Sequence, residues 1–126
     1  FQEKLIDLYF EEKARLRVYS SSKIVSIVMG NLIRNACSYT DRGSVVISIT
    51  EDGVIIQDSG KGMTAQHLDD VLKPEFNPRH AQGNGIGLNL VKRITDRFGW
   101  SIDFDSSPEA GTRVQVKMPI SDILNE

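Results

Sequence analysis

Residues 23–39 read KIVSIVMGNLIRNACSY, and the rest of the chain is best read outward from them. Val25, Val28, Met29, Leu32 and Ala36 recur at helical spacing. They predict an amphipathic helix with its apolar stripe on a core. Ser20 to Ser22 stand just ahead and offer N-caps. Asn31 and Asn35 lie four apart, on one face of that helix. Asn is a poor helix-interior residue, because its amide competes for backbone hydrogen bonds. Two on one face therefore call for a reason. An amide oxygen is a hard, neutral ligand suited to Mg²⁺, an ion held by few protein groups plus water and phosphate oxygens. The plainer alternative is a pair of half-exposed amides that bond nearby loops.

Upstream, residues 1–13 (FQEKLIDLYFEEK) carry Leu5, Leu8 and Tyr9 at helical spacing and predict an amphipathic helix. Residues 14–19 (ARLRVY) alternate Leu16 and Val18 with Arg15 and Arg17, which predicts a short strand. Downstream, Asp41-Arg42-Gly43 is a turn. Residues 44–50 and 54–57 are β-rich, and the Asp-Gly of Glu51-Asp52-Gly53 marks a hairpin between them. Thr64 caps a short helix over 64–72. Residues 73–84 (KPEFNPRHAQGN) form a long irregular connection, and such loops are usually functional or mobile. A helix over 86–98 places Leu90, Val91, Ile94 and Phe98 on its core face, with Gly99 as its C′ residue. Strands near 100–105 and 112–118 flank the turn Ser107-Pro108-Glu109-Ala110-Gly111. Phe10, Trp100 and Phe104 are assigned to packing, and Cys37 to a small apolar role. Two hairpins predict an α/β (α+β) two-layer sandwich. Its sheet is mixed but mainly antiparallel, with helices on one face, in a single domain over 1–126.

Composition narrows the function. The chain has 126 residues, 40% hydrophobic and 25% charged, which is globular rather than disordered. Its 15 Lys and Arg against 17 Asp and Glu give a net charge of −2. No basic excess is available for a nucleic-acid backbone or an anionic membrane. The single cysteine excludes an internal disulfide and a multi-Cys zinc site, and a reducing compartment is the simplest reading. The longest nearly apolar run, Ile24 to Ile33, is too short to span a membrane. The start at Phe1 rather than Met is read as a cut fragment.

Two further motifs join the Asn pair. Asp58-Ser59-Gly60-Lys61-Gly62 closes an apolar strand. Glycines there allow close backbone approach to a flat ligand, and an Asp at a strand end can accept a hydrogen bond from an exocyclic amine. An ordinary turn is the alternative. Gly83-Asn84-Gly85-Ile86-Gly87-Leu88 opens a helix, whose free N–H groups and dipole favour an anion. It fits neither the Rossmann nor the Walker spacing.

In order and spacing the three motifs closely resemble the ATP-binding (Bergerat) fold of the GHKL superfamily. That group includes sensor histidine kinases, gyrase-type topoisomerases, Hsp90 chaperones and MutL proteins. Asn31–Ala36 resembles the N box, Asp58–Gly62 the G1 box, Gly83–Leu88 the G2 box and Gly111-Thr112 the G3 element. Phe76 is similar to the F-box aromatic. The resemblance covers roughly residues 20–119. ATPase members carry Glu four positions before the metal Asn, where this chain has Asn31, so no general base stands there. Asn-x-x-x-Asn-Ala followed by Tyr39 is similar to the catalytic and ATP-binding domain of bacterial two-component sensor histidine kinases.

That resemblance implies roles. Asn35 coordinates Mg²⁺ and Asn31 assists at the phosphates; Asp58 takes the adenine amino group. Gly60 and Gly62 give the base backbone access, Tyr39 and Met63 line the pocket, and Thr112 holds a water near the adenine. Gly83, Gly85, Gly87 and Leu88 present N–H groups to the phosphates. Residues about 63–84 form a lid. The family's usual Lys three residues after the metal Asn is replaced by Ser38, and Arg79, His80 and Lys73 are the candidates to compensate. The segment before the N box reads as shortened, with a strand trimmed. Neither His67 nor His80 is followed by an acid, so neither matches a phosphoacceptor. His67 is assigned to a solvated helix face. The implied cofactors are ATP and Mg²⁺. The implied partners are the dimerisation and His-phosphotransfer domain of the same kinase and a response regulator, with no nucleic acid. The implied setting is the cytoplasmic side of a membrane-anchored sensor. A GHKL ATPase domain and a nucleotide-free signalling module are the alternatives.

Overall fold

The computed structural model describes residues 4–16, 18, 20–73 and 86–118. Its elements run β1 (Leu5–Glu12), α1 (Ser22–Ser38), β2 (Arg42–Ile49), β3 (Gly53–Asp58), α2 (Ala65–Leu72), α3 (Ile86–Phe98), β4 (Ser101–Ser106) and β5 (Thr112–Lys117). The five strands form one sheet in the order β1-β2-β3-β5-β4. β1 pairs parallel with β2, and every other pairing is antiparallel. This is the mixed, mainly antiparallel sheet expected.

Alternation decides which sheet face is covered. Val45 and Ile47 of β2, Val54 and Ile56 of β3, and Val114 and Val116 of β5 are buried, while Gln57, Asp103 and Asp105 point outward and are exposed. Val28, Leu32 and Ala36 of α1, Val71 of α2, and Leu88 and Val91 of α3 complete the core from the helical side. Ser21 caps α1, its side chain accepting the Ile24 N–H at 3.1 Å. Thr64 does the same for α2 through the His67 N–H at 3.0 Å.

Four expectations are corrected. Residues 5–12 form β1, not a helix. Leu5, Leu8 and Tyr9 fit a helix, but Ile6, Leu8 and Phe10 fit a strand equally well, and pairing with β2 along the whole strand settles it. Among residues 14–16, 18 and 20 there is no strand. On α3, Leu90 and Phe98 are exposed, and the inner face is made by Leu88, Val91 and Thr95. Phe10 does not pack inside: it is 70% exposed on the edge strand.

Candidate functional site

α1 is the spine of the site. Asn31 and Asn35 both lie half-buried on it. Asn31 Nδ2 donates to the Ile27 carbonyl one turn back, at 2.7 Å. Its Oδ1 is turned to α3, where a Cβ added at Gly87 would lie 3.1 Å away. The missing side chain of Gly87 thus lets the first turn of α3 close on the Asn face. The first N–H groups of a helix lack partners within it, so this turn can take an anion. Leu88 is fully buried as a core residue.

Asp58 ends β3 and is 4% exposed. Its Oδ1 accepts the Gly60 N–H at 2.8 Å. Burial pushes the carboxyl above the usual carboxylate range, against the pull of the Gly60 and Thr112 N–H groups. Beyond Asp58 the chain folds against the end of α1. The Lys61 N–H donates to the Tyr39 carbonyl at 3.0 Å, and a Cβ on Gly60 would lie 2.0 Å from that same oxygen. A Cβ on Gly62 would lie 1.9 Å from the Ser107 carbonyl. Met63 is buried, and its N–H donates to Ser106 Oγ at 2.8 Å.

Tyr39 is buried, its hydroxyl lies 3.2 Å from His67 Nε2, and the Lys61 ammonium stands 5.1 Å from its ring centre. Burial raises the phenol further, so it stays neutral. His67 is exposed as expected, but its ring is engaged rather than merely solvated. Thr112 is buried directly across from Asp58. Gly87 thus meets Asn31 between α3 and the middle of α1, while Tyr39, Asp58, Gly60, Gly62, Met63 and Thr112 meet where the end of α1 packs on the end of β3 and the β4–β5 turn, with Asn35 one turn before Tyr39. Arg79, His80, Gly83, Gly85 and Phe76 lie outside the described residues.

Lys4 and Asn89 were not visible from spacing. Lys4 Nζ donates to the Cys37 and Ser38 carbonyls at 3.2 and 3.0 Å and so caps α1 from the flank of β1. Burial pushes the Cys37 thiol up, with Lys4 pulling the other way. Lys73 pairs with Asp70 at 3.3 Å. Asn89, 4% exposed, donates to the Val71 and Lys73 carbonyls at 2.7 and 3.1 Å and fastens the end of α2 to α3. An amide inside an amphipathic helix was its only signal, the same signal that marked Asn31 and Asn35. Among the described residues, no cluster of His, Cys, Asp or Glu could hold a metal ion. Neutral amide oxygens remain on α1, at Asn31 and Asn35, and such a donor fits an ion whose other ligands are phosphate oxygens and water.

Comparison with known proteins identifies the family. Residues 21–122 match the family described as histidine kinase-, DNA gyrase B-, and HSP90-like ATPase, and the chain belongs to that family. It is 31% identical over 96 residues to the sensor protein QseC of Escherichia coli K12, covering 74% of this chain and 21% of that protein. It is 32% identical over 125 residues to the sensor histidine kinase ZraS of Klebsiella oxytoca, covering 94% of this chain and 27% of that protein. The catalytic domain of the histidine kinase ThkA superposes with a TM-score of 0.68 at 25% identity, over 90% of this chain and 78% of that one. Full-length ShkA in complex with AMPPNP shares the fold, with a TM-score of 0.75 at 16% identity over 92% of this chain and 26% of that one. The chain thus spans about a fifth to a quarter of these curated relatives. No helix among the described residues is long and apolar enough to cross a membrane.

Proposed function

We propose that this domain binds Mg-ATP and donates its γ-phosphoryl group to a histidine on a separate dimerisation domain of the same sensor kinase, which passes it to a response regulator. The reading puts the domain on the cytoplasmic side of a membrane-anchored protein. The observation that carries it is that parts of three motifs pack along α1 and beyond its end: Gly87 against Asn31 at mid-helix, Lys61 and Gly60 against the Tyr39 carbonyl at the end, and Thr112 beside the buried Asp58. In this reading Asp58 takes the adenine amino group, the first turn of α3 meets the phosphates, and Asn35 holds Mg²⁺. When bound, the ion neutralises phosphate charge. The chain's own part is to orient the nucleotide and leave its terminal phosphate open, since phosphoryl transfer depends mostly on positioning and electrostatics. Residues about 63–84, with α2 at their start, act as the lid.

Calorimetric titration with Mg-ATP tests the reading. The wild-type domain is expected to bind, and Asn35→Ala to lose about tenfold or more in affinity, the worth of a bond to a charged group. No binding by the wild type would refute the reading. A second expectation separates kinase from ATPase. With Asn31 where the ATPases carry Glu, and no phosphoacceptor motif at His67, the isolated domain is expected neither to hydrolyse ATP steadily nor to label itself from γ-labelled ATP. Steady hydrolysis would move it to the ATPase branch.

A further inference from the structure

The Asp58 side chain does not stand alone. Asp58 pairs with Thr112 across β3 and β5, and Thr112 pairs with Ser106 across β5 and β4. Directly opposed residues of antiparallel strands point to the same face, so the three form one row across three strands, facing the helices. Ser106 Oγ has three partners: the Met63 N–H at 2.8 Å, the Gly111 carbonyl at 3.1 Å and Thr112 Oγ1 at 2.8 Å. A hydroxyl has one proton to donate and two lone pairs to accept with. The Met63 N–H can only donate and the Gly111 carbonyl can only accept. All three contacts are hydrogen bonds in one arrangement alone: Ser106 donates to Gly111, and Thr112 donates to Ser106. The Thr112 proton is then committed away from Asp58, and the Thr112 oxygen presents only lone pairs beside a carboxylate.

We infer that Ser106 is a specificity-determining residue, which turns Thr112 into an obligate acceptor so that Asp58 and Thr112 together admit an amino group and reject a carbonyl. This rests on the proposed placement of the nucleotide base at Asp58. Adenine carries an exocyclic amine where guanine carries the O6 acceptor. An acceptor-only pair therefore selects adenine nucleotides, whether directly or through a water whose protons point at Thr112. Ser106 touches no base itself; it acts through Thr112.

The test is the ratio of ADP to GDP affinity, each measured by calorimetry with Mg²⁺. The wild type is expected to prefer ADP strongly. In Ser106→Ala the Thr112 hydroxyl is free to rotate and donate to O6, so the ratio is expected to fall about tenfold, the worth of one hydrogen bond made or opposed. Ser106→Thr, which keeps the hydroxyl, restores it. A purely structural role would weaken both nucleotides alike, so an unchanged ratio in Ser106→Ala overturns the inference. Should that variant not fold, Ser106→Cys, whose thiol is only a weak acceptor for the Thr112 proton, is read the same way: a reduced ratio supports the inference and a wild-type ratio overturns it. Wild-type protein that binds neither nucleotide refutes the proposed function instead.

Discussion

Asp58→Asn is expected to reduce ADP or ATP affinity by roughly a hundredfold, and to alter the pH dependence of stability in the direction opposite to that of an ordinary ion-paired aspartate. The loss of affinity follows from polarity. Adenine's amine needs an acceptor, and asparagine replaces one carboxylate oxygen with a second donor. The site then forfeits a bond to a charged group and adds a donor facing a donor, together worth about 3 kcal/mol. The stability effect follows from burial. Burial holds the Asp58 carboxyl above its ordinary range despite the Gly60 and Thr112 N–H groups. A group whose folded pKa exceeds its unfolded value binds protons more tightly in the folded state. Its stabilising contribution is complete below the unfolded value, near 3.9, and is lost as pH rises through the raised folded value. The wild type should therefore gain melting temperature relative to Asp58→Asn as the pH is lowered through that window. A melting-temperature difference that is flat with pH, or that grows toward neutrality, contradicts it. Burial makes ionisation of this carboxyl cost stability. The proposed site gives it a purpose, because only the ionised form offers the amine two acceptor oxygens.

How far the sequence foretold this site depended on where each residue's partner lies. α1 was legible because its apolar spacing and its serine cap are local, and the β2–β3 hairpin because Asp52-Gly53 is a turn signal. Asn31, Asn35, Asp58 and the glycines stood out as candidates because they are unusual residue types in otherwise apolar elements. β1 was not legible. Leu5, Ile6, Leu8, Tyr9 and Phe10 satisfy two periodicities at once, and the choice falls to the partner strand at 42–49, beyond any local window. Burial offered no help, since most of β1 is exposed. Leu90 and Phe98 misled for a related reason: a helix stripe is wider than its contact, and Thr95 took a buried place that hydropathy awards to an apolar residue. Ser106 and Lys4 were invisible because they act on the backbone of distant segments, at Met63 and at Cys37-Ser38. Nothing in a Ser or a Lys announces such a partner.

Gly60→Ala is expected to destabilise the domain by about 3 kcal/mol, the upper end for overpacking, and to lower its melting temperature by ~10 °C. The added methyl would lie 2.0 Å from the Tyr39 carbonyl oxygen and 2.6 Å from its carbon. Those atoms are backbone, so no rotamer change relieves the clash. Either the end of α1 or the start of the Asp58 loop must move, and the bond from the Lys61 N–H to the same oxygen moves with it. Gly99→Ala is the control. Gly99 has a φ of +72°, but nothing lies within 4 Å of its added methyl. Its cost is strain alone, about 1–2 kcal/mol. Thermal melts of the two variants separate crowding from strain, and equal losses would contradict the packing described for Gly60. Binding separates them further. Gly99 ends α3 far along the chain from the first turn that meets the Asn face, so Gly99→Ala is expected to bind ADP as the wild type does once folded. Gly60→Ala parts Asp58 from Tyr39, so its affinity should fall even at temperatures where the domain is fully folded. A Gly60→Ala domain that is destabilised but binds normally would mean that the junction of α1 with the Asp58 loop supports the fold without shaping the pocket.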